Sequence, residues 1–100
     1  MNTYVILRRS AWADADELGA AAKRSGAIGD GEMSDDIRWI RSYVIEEPDG
    51  RLGTVCIYQA SSADAVREHA SRVPMAADEV ISVADTVIVR EDPAAADAAG

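Results

Sequence analysis

Apolar positions along this chain recur with one spacing in some stretches and another elsewhere, and the changes of period mark its elements. Residues 3–9 (TYVILRR) are short, β-branched and aromatic, which predicts a first strand. Residues 13–26 (ADADELGAAAKRSG) are rich in alanine, with acids early and Lys23 and Arg24 late. That order complements a helix dipole, and Gly26 supplies a stop. Residues 27–36, carrying two glycines and four acids, read as a loop. Residues 36–47 (DIRWIRSYVIEE) alternate, placing Ile37, Trp39, Arg41, Tyr43 and Ile45 on one face of a strand and Arg38, Ile40, Ser42 and Val44 on the other. Pro48-Asp49-Gly50 is a turn, because proline presets φ and glycine accepts positive φ. Residues 52–60 (LGTVCIYQA) then form the returning arm of a hairpin. A helix follows over 61–73, with Ser61 or Ser62 as its cap and Asp64 in its first turn, and Pro74 ends it. Residues 79–91 (EVISVADTVIVRE) supply a last strand, with a bend expected near Ala84 and Asp85. Residues 93–100 (PAAADAAG) have no periodicity and read as a flexible tail behind a single domain over 1–92.

The resulting order, β-α-β-β-α-β, is reduced by short connections and right-handed crossovers to a ferredoxin-like split βαβ sandwich. This is an α+β fold, an antiparallel sheet with two helices on one face. Several strands are nevertheless apolar on both faces. Tyr4 and Ile6 oppose Val5 and Leu7, while Cys56 and Tyr58 oppose Val55 and Ile57. Two helices cover one face only, so the other is expected to meet a second copy of the sheet in a homodimer.

Composition narrows the partners. Eighteen acidic residues against ten basic ones leave a net charge of −8. Phosphate binding needs clustered Lys and Arg, so neither nucleic acid nor an anionic membrane surface is an expected partner. In MNTYVILRR the basic residues follow the apolar run, the wrong order for a signal peptide, and no apolar segment approaches the roughly 20 residues that span a bilayer. A lone cysteine forms no internal disulfide, and a cytoplasmic location is expected.

Cys56 and His69 are the only residues of their kinds. His69 lies beside the apolar stripe of the second helix, where imidazole serves either as a half-buried hydrogen-bonding group or as a metal ligand. Cys56, mid-strand between Val55 and Ile57, reads first as a small buried hydrophobe, since a reactive thiolate needs an electropositive, partly exposed setting. Trp39, Arg41 and Tyr43 share a strand face in this register, and Tyr4 and Tyr58 are candidates to join them. Such a wall suits either an amphipathic strand or a cleft for a small organic ligand or anion. The loop DGEMSDD (30–36) carries carboxylates, but its glycine falls in the wrong place for a calcium loop, so it reads as solvated.

With these segments placed, the chain resembles a small bacterial family of ferredoxin-like domains of unknown function, some of whose members are described as nickel-binding or nickel-responsive. The carrying residues are WIRSYV (39–44), GTVCIYQA (53–60), AVREHA (65–70) and MAADEVISV (75–83). The resemblance implies compact dimers and a site for nickel or a related divalent transition metal. His69 and Cys56 are its candidate ligands, with Trp39 and Tyr43 as wall residues. Val73-Pro74-Met75-Ala76-Ala77 departs from the Gly-Leu-Pro common in that family before the last Asp-Glu. Three functions stay open. They are a metal-binding homodimer using His69, a small-molecule-binding or enzymatic dimer using Arg41, Tyr43, Tyr58 and His69, and an interaction module without a ligand. The dimer of the second reading resembles the dimeric α/β-barrel monooxygenases and isomerases.

Overall fold

The computed structural model describes residues 1–92; the tail expected over 93–100 lies outside them. The elements run β1 (Asn2–Trp12), α1 (Ala15–Asp30), β2 (Ile37–Glu46), β3 (Leu52–Ala60), α2 (Ala63–Arg72) and β4 (Glu79–Ser82). The sheet order is β2-β3-β1-β4 and every pairing is antiparallel, which is the ferredoxin-like arrangement.

Helix α1 begins where Asp14 Oδ1 accepts the Glu17 amide at 3.0 Å, while Glu17 Oε1 accepts the Ala13 amide at 3.0 Å, a reciprocal cap. It runs four residues past the expected stop at Gly26. Glycine is wanted in that last turn for closeness. A Cβ on Gly29 would stand 3.3 Å from Ile37 Cγ2 and 3.6 Å from His69 Nε2. Helix α2 is capped by Ser62, whose Oγ accepts the Ala65 amide at 3.1 Å.

The core joins Tyr4 and Ile6 of β1 and Cys56, Tyr58 and Ala60 of β3 to Ile37, Met33 and Val66. Helix-facing positions are therefore the even ones on β1 and β3. Met33, buried in the acidic loop, is the anchor that sequence patterning missed.

Two irregularities decide what faces the helices. On β2 the pairing with β3 slips between Trp39 and Arg41, so Ile40 is an extra, bulged residue. Trp39 opposes Tyr58 on the helix face, whereas Arg41 opposes Ile57 and Tyr43 opposes Val55 on the other face. The uninterrupted alternation expected over 37–45 is corrected accordingly: Ile37 and Trp39 share a face with Ser42 and Val44. One extra residue inverts side-chain direction, and sequence periodicity does not mark where it sits. On β1 the register with β3 shifts between Arg8, which opposes Thr54, and Trp12, which opposes Leu52. Ser10 takes φ 47° within this bulge. The buried Glu47 secures it, accepting from the Ser10 amide at 2.7 Å and from Arg9 Nε and Nη2 at 2.9 Å each. The Arg9 hydrogen bond holds the Glu47 carboxyl below the usual carboxylate range.

The last strand is shorter than expected, ending at Ser82. Val83 donates to Thr3 O at 2.9 Å, and β1 begins one residue earlier, so the ladder runs out of partners. The chain then reaches β2 on the face away from the helices. There Asp92 Oδ2 accepts from Arg41 Nη1 at 2.7 Å and from the Tyr43 hydroxyl at 2.6 Å.

Candidate functional site

Small residues on α1 open a space over the sheet. Ala15, Leu18, Gly19, Ala22 and Ser25 follow one another at helical spacing along the side turned to the strands. Apart from Leu18, these are small residues, and Ser25 alone of them is tied to a strand side chain, through its hydroxyl to Tyr58. A cavity of about 520 Å³ results, floored by Arg8, Thr54, Cys56 and Tyr58 and walled by Trp12, Trp39, Ile40, Val44 and Met75. β2 is an edge strand, and its cavity-lining Trp39, Ile40 and Val44 are exposed, so the cavity opens at that edge. Its lining is apolar apart from a few polar tips, the composition of small-ligand sites.

Those polar tips form a short chain across the floor. The Tyr58 hydroxyl and Ser25 Oγ are 3.0 Å apart, and the Ser25 carbonyl accepts from His69 Nε2 at 3.0 Å. Because a carbonyl can only accept, Nε2 carries the proton of a neutral imidazole and Nδ1 keeps its lone pair. Burial pushes the His69 pKa below its ordinary value, an effect that its bond to Ser25 opposes and the nearby Arg8 charge reinforces. Burial likewise pushes the Tyr58 phenol up. Trp39 stacks on Tyr58 with ring centroids 6.1 Å apart and planes 12° from parallel, and its Nε1 donates to Ser42 Oγ at 2.8 Å.

The floor also holds a full positive charge. Arg8 is 1% exposed, and its Nε, Nη1 and Nη2 are buried without a hydrogen-bond partner among the described residues. Its guanidinium carbon lies 5.8 Å from the Tyr58 ring centroid. A buried ion without a partner costs several kcal/mol, so such an arrangement is held by the fold against its own stability.

Of the residues singled out from sequence, Tyr58, Trp39 and Cys56 meet at this cavity, and His69 stands behind Tyr58 with ring centroids 5.6 Å apart. The Cys56 thiol donates to Thr54 Oγ1 at 3.3 Å. The Arg41 guanidinium and Tyr43 hydroxyl are not brought to it; both are bound to Asp92 on the opposite face. Arg8, Ser25, Trp12 and Thr54 were missed. A signal for Arg8 existed, since it continues the Tyr4-Ile6 alternation into the core. With both faces of β1 apolar, sequence alone did not say which face was the core.

Divalent metal binding needs several convergent donors. Among the described residues no group of three or more His, Cys, Asp or Glu could hold a metal ion. His69 Nδ1 is buried and has no hydrogen-bond partner among the described residues. No helix among the described residues is long and apolar enough to cross a membrane.

Fold and cavity together define an α+β ferredoxin-like domain with a cavity between its first helix and its sheet. The chain belongs to the family described as nickel responsive protein SCO4226-like, whose model matches residues 4–83. The family resemblance read from residues 39–83 is thereby confirmed. Among solved structures, that of SCO4226 from Streptomyces coelicolor A3(2) matches with a TM-score of 0.66. It is 20% identical and the match covers 85% of this chain and 99% of that one, a likeness that shows the fold. No curated protein sequence matches the chain.

Proposed function

We propose that this chain is a small-ligand-binding domain whose cavity between α1 and the sheet takes one organic molecule with an apolar body. The observation that carries the reading is the cavity itself. Its volume of about 520 Å³ falls within the range of about 300–1,000 Å³ usual for ligand sites, and aromatic walls surround a few polar tips. Both tryptophans of the chain, Trp12 and Trp39, line it, so intrinsic fluorescence reports occupancy. Titration with an uncharged aromatic probe, 3-phenylpropionamide, is expected to give a saturable change. Ala22→Leu, which fills the space under α1, is expected to remove it. A response that Ala22→Leu leaves intact, or the lack of a saturable response to both this amide and the acid of the same shape, refutes the reading.

A second reading follows from the family description, nickel responsiveness. On it, His69 Nδ1 and Cys56 Sγ supply donors and a second copy of the chain supplies the rest. Calorimetric titration of metal-free protein with nickel tests it, with saturable binding in the wild type and loss in His69→Ala expected. Absence of binding in the wild type refutes it.

We also propose that the chain works as a homodimer. Val5, Leu7, Val55 and Ile57 remain only half-buried on the face away from the helices, and Val87, Ile88 and Val89 are exposed beside it. Contiguous apolar surface of this kind favours association. Sedimentation equilibrium is expected to give twice the chain mass; a monomer at all concentrations refutes the dimer.

A further inference from the structure

Arg8 and Arg9 are neighbours in sequence with opposite fates. Arg9 points to the other face and forks onto Glu47, one nitrogen to each carboxylate oxygen at 2.9 Å. Arg8 points under α1, where its three guanidinium nitrogens are buried and meet no acceptor among the described residues. It is one of the residues that floor the cavity. Among the described residues no Asp or Glu lines that cavity, and the hydroxyls nearby are engaged: Ser25 with the Tyr58 hydroxyl, Ser42 with the Trp39 indole N–H and Thr54 with the Cys56 thiol.

We infer that the missing partner is the ligand, and that the ligand is a small organic monoanion: a carboxylate on an apolar, aromatic-sized body, gripped by the Arg8 fork. This rests on the ligand-binding reading and specifies what that cavity takes. A guanidinium presents parallel N–H groups that match two carboxylate oxygens, and in a water-poor cavity such a pair is far stronger than at a surface. One charge calls for one charge. The other arginine at the cavity wall, Arg41, has its guanidinium bound to Asp92 on the far face, so no second cation faces the cavity for a phosphate dianion. The apolar walls set the rest of the molecule, with Trp12, Trp39 and Met75 placed to enclose a ring or branched chain.

The test compares 3-phenylpropionate with its amide, which has nearly the same shape and no charge, by tryptophan fluorescence on the whole chain. The acid is expected to bind the wild type about 10- to 100-fold more tightly than the amide, the range of a hydrogen-bonded charge in a buried site. Arg8→Met, which keeps the length and removes the charge, is expected to abolish that preference while retaining the amide. Arg8→Lys, a cation without the fork, is expected to fall between. Equal affinity of the wild type for acid and amide overturns the anion inference and leaves the ligand-binding reading standing; this comparison needs no variant to fold. Binding of neither compound overturns both.

Discussion

Replacing Arg8 by methionine should make the ligand-free protein more stable. Most core substitutions do the opposite, so the sign alone is informative. The wild type holds a guanidinium at 1% exposure with three unpartnered nitrogens. An unpaired buried ion costs several kcal/mol after relaxation. Against that stands the attraction of Arg8 for the Tyr58 ring at 5.8 Å, about 1 kcal/mol for a contact of this kind. Methionine is unbranched and fills much of the same volume, so the packing loss is small. The net gain is about 1–3 kcal/mol, and at about 4–8 °C per kcal/mol for a domain of this size Tm should rise by roughly 5–20 °C. Urea unfolding followed by circular dichroism measures it without adding ions that would pair with the guanidinium. Saturation with a bound carboxylate should narrow or reverse the order, since ligand at about 100 times its Kd adds about 2.7 kcal/mol to the wild type and less to the variant, which keeps only the weaker, charge-independent affinity. An Arg8→Met protein less stable than the wild type without ligand would show that the guanidinium is already satisfied, and the reasoning would fail with it.

Two further outcomes follow from neighbouring features. His69 has its pKa lowered by burial, so between its folded value and the unfolded value near 6.5 the unfolded chain binds more protons; stability is full above about pH 6.5 and falls as the pH drops below it. His69→Gln, which keeps an N–H for the Ser25 carbonyl, should flatten that slope above about pH 5, where carboxylates contribute little; an unchanged slope in urea titrations would exclude His69 as its source. Gly53→Ala should be severely destabilising, by about 2 kcal/mol or more, because its Cβ would stand 2.6 Å from Arg8 O and 2.8 Å from Glu47 Oε2. A melting temperature within a degree or so of the wild type would show that the β1 bulge yields easily.

The sequence reading held where local chemistry decides. The Pro48-Asp49-Gly50 turn, the cap at Ser62 and the order of elements stand because each depends on residues close in the chain. It slipped where an element is defined by what it touches. Helix α1 passes Gly26 and runs to Asp30, and in that added turn Gly29 lets it lie close to Ile37 and His69. β4 stops at Ser82, where only Thr3 and Asn2 of β1 remain beyond the last pair. The candidate wall of Trp39, Arg41, Tyr43 and Tyr58 was half legible. Trp39 and Tyr58 do stack, while the bulge at Ile40 sends Arg41 and Tyr43 to the far side.

By itself, then, the sequence determined a βαββαβ chain with an acidic surface, a sheet apolar on both faces and a family membership carried by residues 39–83. Those properties are written in neighbour-to-neighbour spacing, turn chemistry and composition. Only the tertiary structure decided which face of β1 lies under α1, and hence that Arg8 is interior while Arg9 is outside with Glu47. It also decided that the small residues of α1 stand over that charge and leave a cavity. Alternation along a strand fixes which residues share a face, but whether that face meets helices, solvent or a ligand depends on elements distant in sequence.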